Sequence, residues 1–222
     1  DWSIGTTTRN LGIPKAVQDL TVTFPFNSLD ALDVLFKAQS GQIAAVIMEP
    51  ASIVDPEPGY LAAVKELANK NGALLIFDEI VTGFRAGMGG AQSRYGVTPD
   101  LASFGKALGN GMPISAVVGR ADVMDLMEEI FFSATFGGEA LSLAAAIATL
   151  DKLENQNGVP RMEETSVRLA ASVAEIFQSQ KLDQHYAISG PDWWKRITPI
   201  PQARVDGVTL TSLIRQEYIK NG

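Results

Sequence analysis

The sequence predicts an α/β fold with a mostly parallel central sheet flanked by helices, and three observations predict it. Two short continuous apolar runs, residues 42–48 and 73–77, have the length and composition of strands buried on both faces. Between them Leu61, Val64, Leu67 and Ala68 recur at helical spacing, behind Pro58-Gly59 and ahead of a stop at Asn71-Gly72. Both runs end in acidic residues, at Glu49-Pro50 and Asp78-Glu79, so strand, helix and strand form one unit of the kind that builds parallel sheets.

The remaining elements follow in order. A Gly-rich loop (83–90), a short apolar piece (101–104), a second loop (105–113) and a strand (114–119) continue the sheet. Helices then dominate, over 122–129, 139–153 and 161–180; the last is amphipathic, with Leu169, Val173, Ile176 and Phe177 on one side. Residues 186–188 and 194–200 read as strands around Ser189-Gly190-Pro191, before a final helix over 210–220. This change of character places a boundary near residue 181, dividing a large domain (1–180) from the start of a smaller α+β domain (181–222).

Composition narrows the chemistry. The 222 residues are 46% hydrophobic, enough for a sizeable core, and carry a formal charge of -7 with no clustered basic face, which argues against a nucleic-acid or anionic-membrane partner. The Ala-rich run 140–150 is too short to cross a bilayer and is flanked by Glu139 and Asp151, so a soluble protein is expected. Cys is absent, which removes thiolate chemistry and disulfides and fits a reducing compartment such as the cytoplasm. His185 is the single histidine, so a His-based triad or a two-His metal site lacks parts. Chemistry here must use lysine, carboxylates, hydroxyls or a bound cofactor. The chain opens on Asp1 in a polar stretch, from which an upstream segment is expected.

Two residues carry the candidate chemistry. Asp78 ends a buried parallel strand, where open α/β sheets bind ligands, although an aspartate there also serves as a local cap of the turn. Lys106 lies in Ser103-Phe104-Gly105-Lys106-Ala107-Leu108-Gly109-Asn110-Gly111, a lysine among apolar residues and glycines. Partly desolvated, such an amine can attack an aldehyde; alone, the residue reads more readily as a surface turn lysine. Arg85 is expected to be a salt-bridge partner beside Glu79, and Trp193-Trp194 to be packing residues. Gly87-Met88-Gly89-Gly90 lacks the spacing of a dinucleotide fingerprint, which removes a nicotinamide-dependent dehydrogenase.

Lys106 follows Asp78 by 28 residues, each at the end of its own strand. The segments Asp78-Glu79-Ile80-Val81-Thr82-Gly83-Phe84-Arg85 and Ser103 through Pro113 closely resemble the paired motifs of the class III, fold type I pyridoxal-phosphate enzymes, within them most the aminomutase group that acts on glutamate 1-semialdehyde. Asp1-Trp2, Gly5 through Asn10 and the Glu49-Pro50 strand end resemble the same group. The resemblance implies the large domain of that fold and pyridoxal 5'-phosphate as cofactor. It implies that Asp78 partners the pyridine nitrogen, that Lys106 forms the Schiff base, and that Ile80 packs on the ring. It also implies that Thr135, in Ser133-Ala134-Thr135-Phe136-Gly137-Gly138, reaches the cofactor phosphate of a neighbouring subunit, and hence a homodimer with a shared active site.

The implied activity is amino transfer on a small amino or oxo metabolite, by aminomutase or aminotransferase chemistry; a non-catalytic α/β binding or assembly module is the alternative. Departures from the family pattern stand beside the match. Val81 replaces the glutamine that many members place there, and Ala51-Ser52-Ile53-Val54-Asp55 lacks the second glutamate of ω-transaminases. The phosphate loop and ring-stacking aromatic that the family places ahead of this region are not in the sequence. A whole enzyme is therefore expected to be about twice as long as this chain.

Overall fold

A computed structural model of the chain describes residues 10–201 and 206–222. The opening motif at Asp1-Trp2 and Gly5 through Arg9 lies outside the described residues. The described chain builds two short helices, α1 (Lys15–Gln18) and α2 (Leu29–Ala38), then strand β1 (Ala45–Met48), helix α3 (Tyr60–Lys70) and strand β2 (Leu74–Asp78). Helix α4 (Gly90–Tyr95), strand β3 (Leu101–Phe104), a 3-10 turn over Lys106–Leu108 and strand β4 (Ala116–Gly119) follow. Helix α5 (Ala121–Met124) runs into a 3-10 turn (Asp125–Glu128), so the expected helix over 122–129 is a short, broken one. Helices α6 (Ala140–Asn155) and α7 (Gly158–Ser179), strands β5 (Tyr186–Ser189) and β6 (Arg196–Pro199) and helix α8 (Gly207–Asn221) complete the order.

The main sheet runs β1-β2-β3-β4. Strands β1, β2 and β3 are parallel, with Met48 opposite Phe77 and Asp78 opposite Ser103, which aligns their carboxyl ends. Strand β4 is antiparallel to β3, pairing Ala116 with Phe104 and Gly119 with Leu101. The reason lies in the connection: only residues 105–115 join β3 to β4, too few for the helical crossover that a parallel pair needs.

The predicted helical stripe holds. Leu61, Val64 and Ala68 of α3 are buried against β1 and β2, where Leu75 and Phe77 are fully covered. Helix α2, which the sequence reading passed over, adds Leu32 and Phe36 to the same cluster. Each such side chain stabilises the fold by about 1.5–3 kcal/mol relative to exposure.

Buried Asp100 staples the sheet at its other end. Its carboxylate accepts the Leu75 amide at 2.7 Å and the Arg120 guanidinium at 2.8 Å, linking β2, β3 and β4. Burial pushes the Asp100 carboxyl up, but the Leu75 amide and Arg120 outweigh it and hold it below its ordinary value.

The stripe on α7 behaves differently from expectation. Val159 is the buried residue of that helix, whereas Leu169 and Ile176 are exposed, because among the described residues no element covers their face. Val173 and Phe177 are half-buried, the Phe177 ring resting 5.7 Å from that of Tyr186 in β5. The bidentate pair of Arg94 with Glu163, at 2.9 and 3.0 Å, fastens α7 to α4. Among the described residues no helix is long and apolar enough to cross a membrane.

Candidate active site

The candidate residues converge at the carboxyl edge of the parallel strands. Glu49 stands one residue beyond Met48, Asp78 closes β2, and Lys106 stands two residues beyond the end of β3. All three share one electrostatic neighbourhood. Burial raises the Glu49 carboxyl above its ordinary value, the Asp78 carboxylate raises it further, and Lys106 pulls the other way.

Asp78 is half-buried, and its Oδ1 accepts the Ile80 amide at 3.1 Å. The aspartate therefore does cap its turn, which fixes its side chain at the sheet edge. Ile80 is half-buried and packs over Gly105: a Cβ added to Gly105 would stand 3.0 Å from Ile80 Cδ1. The glycine before Lys106 thus lets the turn after β2 lie close against the turn after β3.

Lys106 adopts a φ of +40°, a left-handed backbone that costs a residue with a Cβ about 1–3 kcal/mol and is found disproportionately at functional sites. Lys106 is exposed rather than partly desolvated, whereas the flanking Gly105 and Gly109 are buried. Thr135 is exposed in the turn that precedes α6. That turn does not use Thr135 as its cap; Glu139 accepts the Leu141 and Ser142 amides instead, at 2.7 and 2.8 Å.

The family model described as Aminotransferase class-III matches residues 9–186. The chain belongs to the class III aminotransferase family. Glutamate-1-semialdehyde 2,1-aminomutase of Roseiflexus castenholzii is 36% identical over 214 residues, which cover 93% of this chain and 49% of that protein. The enzyme of the same name from Acidobacterium capsulatum is 42% identical over 173 residues, covering 74% and 40%.

Among solved structures, acetylornithine aminotransferase from Elizabethkingia anophelis is 30% identical, with a TM-score of 0.70 over 80% of this chain and 45% of that one. The PLP internal aldimine form of the FumI protein of Sphingopyxis sp. MTA144 is 26% identical, with a TM-score of 0.77 over 85% and 47%. The chain therefore spans about half or less of the length of the relatives it matches.

Within this family frame, the residues present fit pyridoxal phosphate. A carboxylate and a lysine amine stand at neighbouring strand ends, with an aliphatic side chain against the glycine between them.

One prominent residue escaped the sequence reading. Glu79 is fully buried, and its carboxylate accepts the Ala91 amide at 2.7 Å, the Gln92 amide at 2.9 Å and the Thr82 hydroxyl at 2.5 Å. The signal was present in strand periodicity: Leu75 and Phe77 of β2 and Glu79, one residue beyond it, are the alternate, buried positions. Arg85 is not its ion-pair partner. With Glu79 saturated by donors from α4 and Thr82, Arg85 lies over the Trp194 ring at 5.4 Å. Trp193 is buried with Ala51, Ala86 and Ala91, in keeping with a packing role.

Proposed function

We propose that this chain forms part of a pyridoxal-phosphate enzyme that moves an amino group on a small metabolite, either within one carbon skeleton, as an aminomutase does, or to a separate oxo acid. The observation that carries the proposal is the placing of Asp78 and Lys106 at the carboxyl ends of adjacent parallel strands in a member of the class III family. The relatives named glutamate-1-semialdehyde 2,1-aminomutase favour the first of the two chemistries.

In this reading Lys106 Nζ holds the cofactor and, when its amine is free, carries a proton to and from the substrate Cα. Asp78 keeps a proton on the ring nitrogen. Bound pyridoxal phosphate supplies the electron sink that makes loss of the Cα proton feasible. Ile80 packs on the ring, and half-buried Glu49 stands at the neighbouring strand end, its carboxyl raised by burial and by Asp78 against the opposing pull of Lys106.

Thr135 offers its hydroxyl to the cofactor phosphate in a second copy of the chain. That role suits an exposed turn, and the neighbouring Ile130, Phe131, Phe132 and Phe136 are exposed apolar residues a second copy would cover. Residues 1–180 are then the cofactor-binding domain and 181–222 the start of a smaller one, in a cytoplasmic homodimer.

The test mixes the protein with pyridoxal phosphate and follows the visible band of lysine-bound cofactor. The band is expected in the native sequence and is expected to vanish in Lys106→Ala; no band in the native protein would instead support a non-catalytic module. Turnover of a single amino-aldehyde substrate without added acceptor then separates the aminomutase from an obligate transaminase.

A further inference from the structure

A fully buried carboxylate is expensive to bury, and it stays where it is only if its oxygens are satisfied. Glu79 meets that condition in a particular way: among the described residues, every partner of its side chain belongs to the loop that follows Asp78 or to the helix that closes it. Thr82 Oγ1, the Ala91 and Gln92 amides and, at 3.3 Å, Gln92 Nε2 all converge on its two oxygens. The space is cut to fit. Gly90 has a φ of +73°, and a Cβ there would stand 2.4 Å from the Glu79 carboxylate.

The backbone of the same residue ties the two strand ends together. The Glu79 amide donates to the Ser103 carbonyl at 2.9 Å, three residues before Lys106, and its carbonyl accepts the Gly83 amide at 2.8 Å. Gly83 in turn lies so close to the Phe104 ring that a Cβ would stand 2.5 Å from it. Asp78 on one side and Ile80 on the other are thus held by a single residue that faces away from them into the protein.

We infer that Glu79 is a positioning residue: by locking the turn after β2 to the end of β3 and to α4, it sets the placement of Asp78 and Ile80 relative to Lys106. This rests on the cofactor reading given above. Glu79 touches neither substrate nor cofactor in this role and acts through the residues on either side of it.

Glu79→Gln is a demanding test because it keeps the shape and replaces one acceptor by an N–H donor, which then meets amides that can only donate. In cofactor-free protein, hydrogen exchange at the Ile80 and Gly83 amides is expected to quicken. In protein loaded with pyridoxal phosphate, the visible band is expected to remain on Lys106 while the pH midpoint of its conversion shifts, and the cofactor to bind about tenfold more weakly, the scale of one lost hydrogen bond to a charged group.

Thr82→Val, which is isosteric and leaves Glu79 in place, is expected to shift the same midpoint in the same direction by less, and decides the matter if Glu79→Gln does not fold. A lower melting temperature with midpoint and cofactor affinity equal to those of the native protein, in every variant that folds, overturns the positioning role and leaves the cofactor reading standing. Absence of the band from the native protein itself overturns both.

Discussion

The two halves of the chain are built to different standards. Residues 29–120 supply nearly all of the main core: Leu32, Phe36, Val64, Leu75, Phe77 and Phe104 are buried together, and the buried carboxylates Glu79 and Asp100 are satisfied. Residues 121–222 contain three helices of 15 residues or more, yet contribute to that cluster only Ala146 among its buried members. Instead they present Phe131, Leu141, Ile147, Leu169 and Ile219 to solvent. A cavity of about 710 Å³ opens where the halves meet, lined by Ala107 and Asn110 of the lysine loop and by Lys152 and Arg161 of α6 and α7; Asp78 and Lys106 are not in its wall. The first half is the platform that carries Asp78 and Lys106 at its strand ends. The second carries apolar faces suited to covering by another surface.

That contrast can be broken most sharply at Phe77. Phe77→Ala is expected to cost about 3–5 kcal/mol in denaturant unfolding, whatever the protein concentration. Paired replacement of Phe131 and Phe136 by Glu is expected to leave unfolding of the isolated chain nearly unchanged, within about 0.5 kcal/mol, while reducing the proposed homodimer to a monomer in sedimentation. Equal unfolding costs at both sites would erase the distinction.

Asp100 comes next. Asp100→Asn replaces one of the two acceptor oxygens by an N–H donor, so the Leu75 amide and Arg120 can no longer both be satisfied, and is expected to cost about 1–3 kcal/mol at neutral pH. The Asp100 carboxyl is held below its unfolded value of 3.8, so its contribution is full above that value and is lost as pH falls through the lower folded one. The native protein should therefore lose stability on acidification over that range, and the variant should lose less.

The joint between the halves is weaker. Arg94→Gln leaves the Glu163 carboxylate without its fork and is expected to cost about 1 kcal/mol or less, with faster hydrogen exchange in α7 and none of that change in β2. The smallest effect is expected at Glu49. Its carboxyl is raised by burial and by Asp78, so its ionisation weighs against the fold as pH rises through the raised folded value. Glu49→Gln should slightly raise the melting temperature at neutral pH and leave it unchanged well below the carboxylate range.

Much of the platform was legible in the sequence because its signals are local. The α3 stripe and the two apolar runs gave helix and strands directly, and the spacing of Asp78 and Lys106 pointed to two strand ends. The direction of β4 was not legible in its own residues, since period-two alternation is the same for either pairing; the length of the connection decides it. Helix α2 was hidden because Leu32 and Phe36 mark its covered face while Val34 is an exposed apolar residue off it. The amides that bind Glu79 lie 12 and 13 residues downstream across a Gly-rich loop, which no periodicity reports. The exposure of Lys106 and of the α7 stripe depends on what lies over them, and that is not written in the residues themselves.

Reduction with borohydride after mixing with pyridoxal phosphate, followed by peptide mapping, addresses the central claim most directly, because it fixes the cofactor to whichever amine has bonded it. The expected result is a phosphopyridoxyl group on Lys106 and none at the other lysines, lost when Asp78→Ala or Lys106→Ala is introduced. Labelling of a different lysine, or labelling of Lys106 no stronger than that of exposed Lys70 or Lys152, would contradict it.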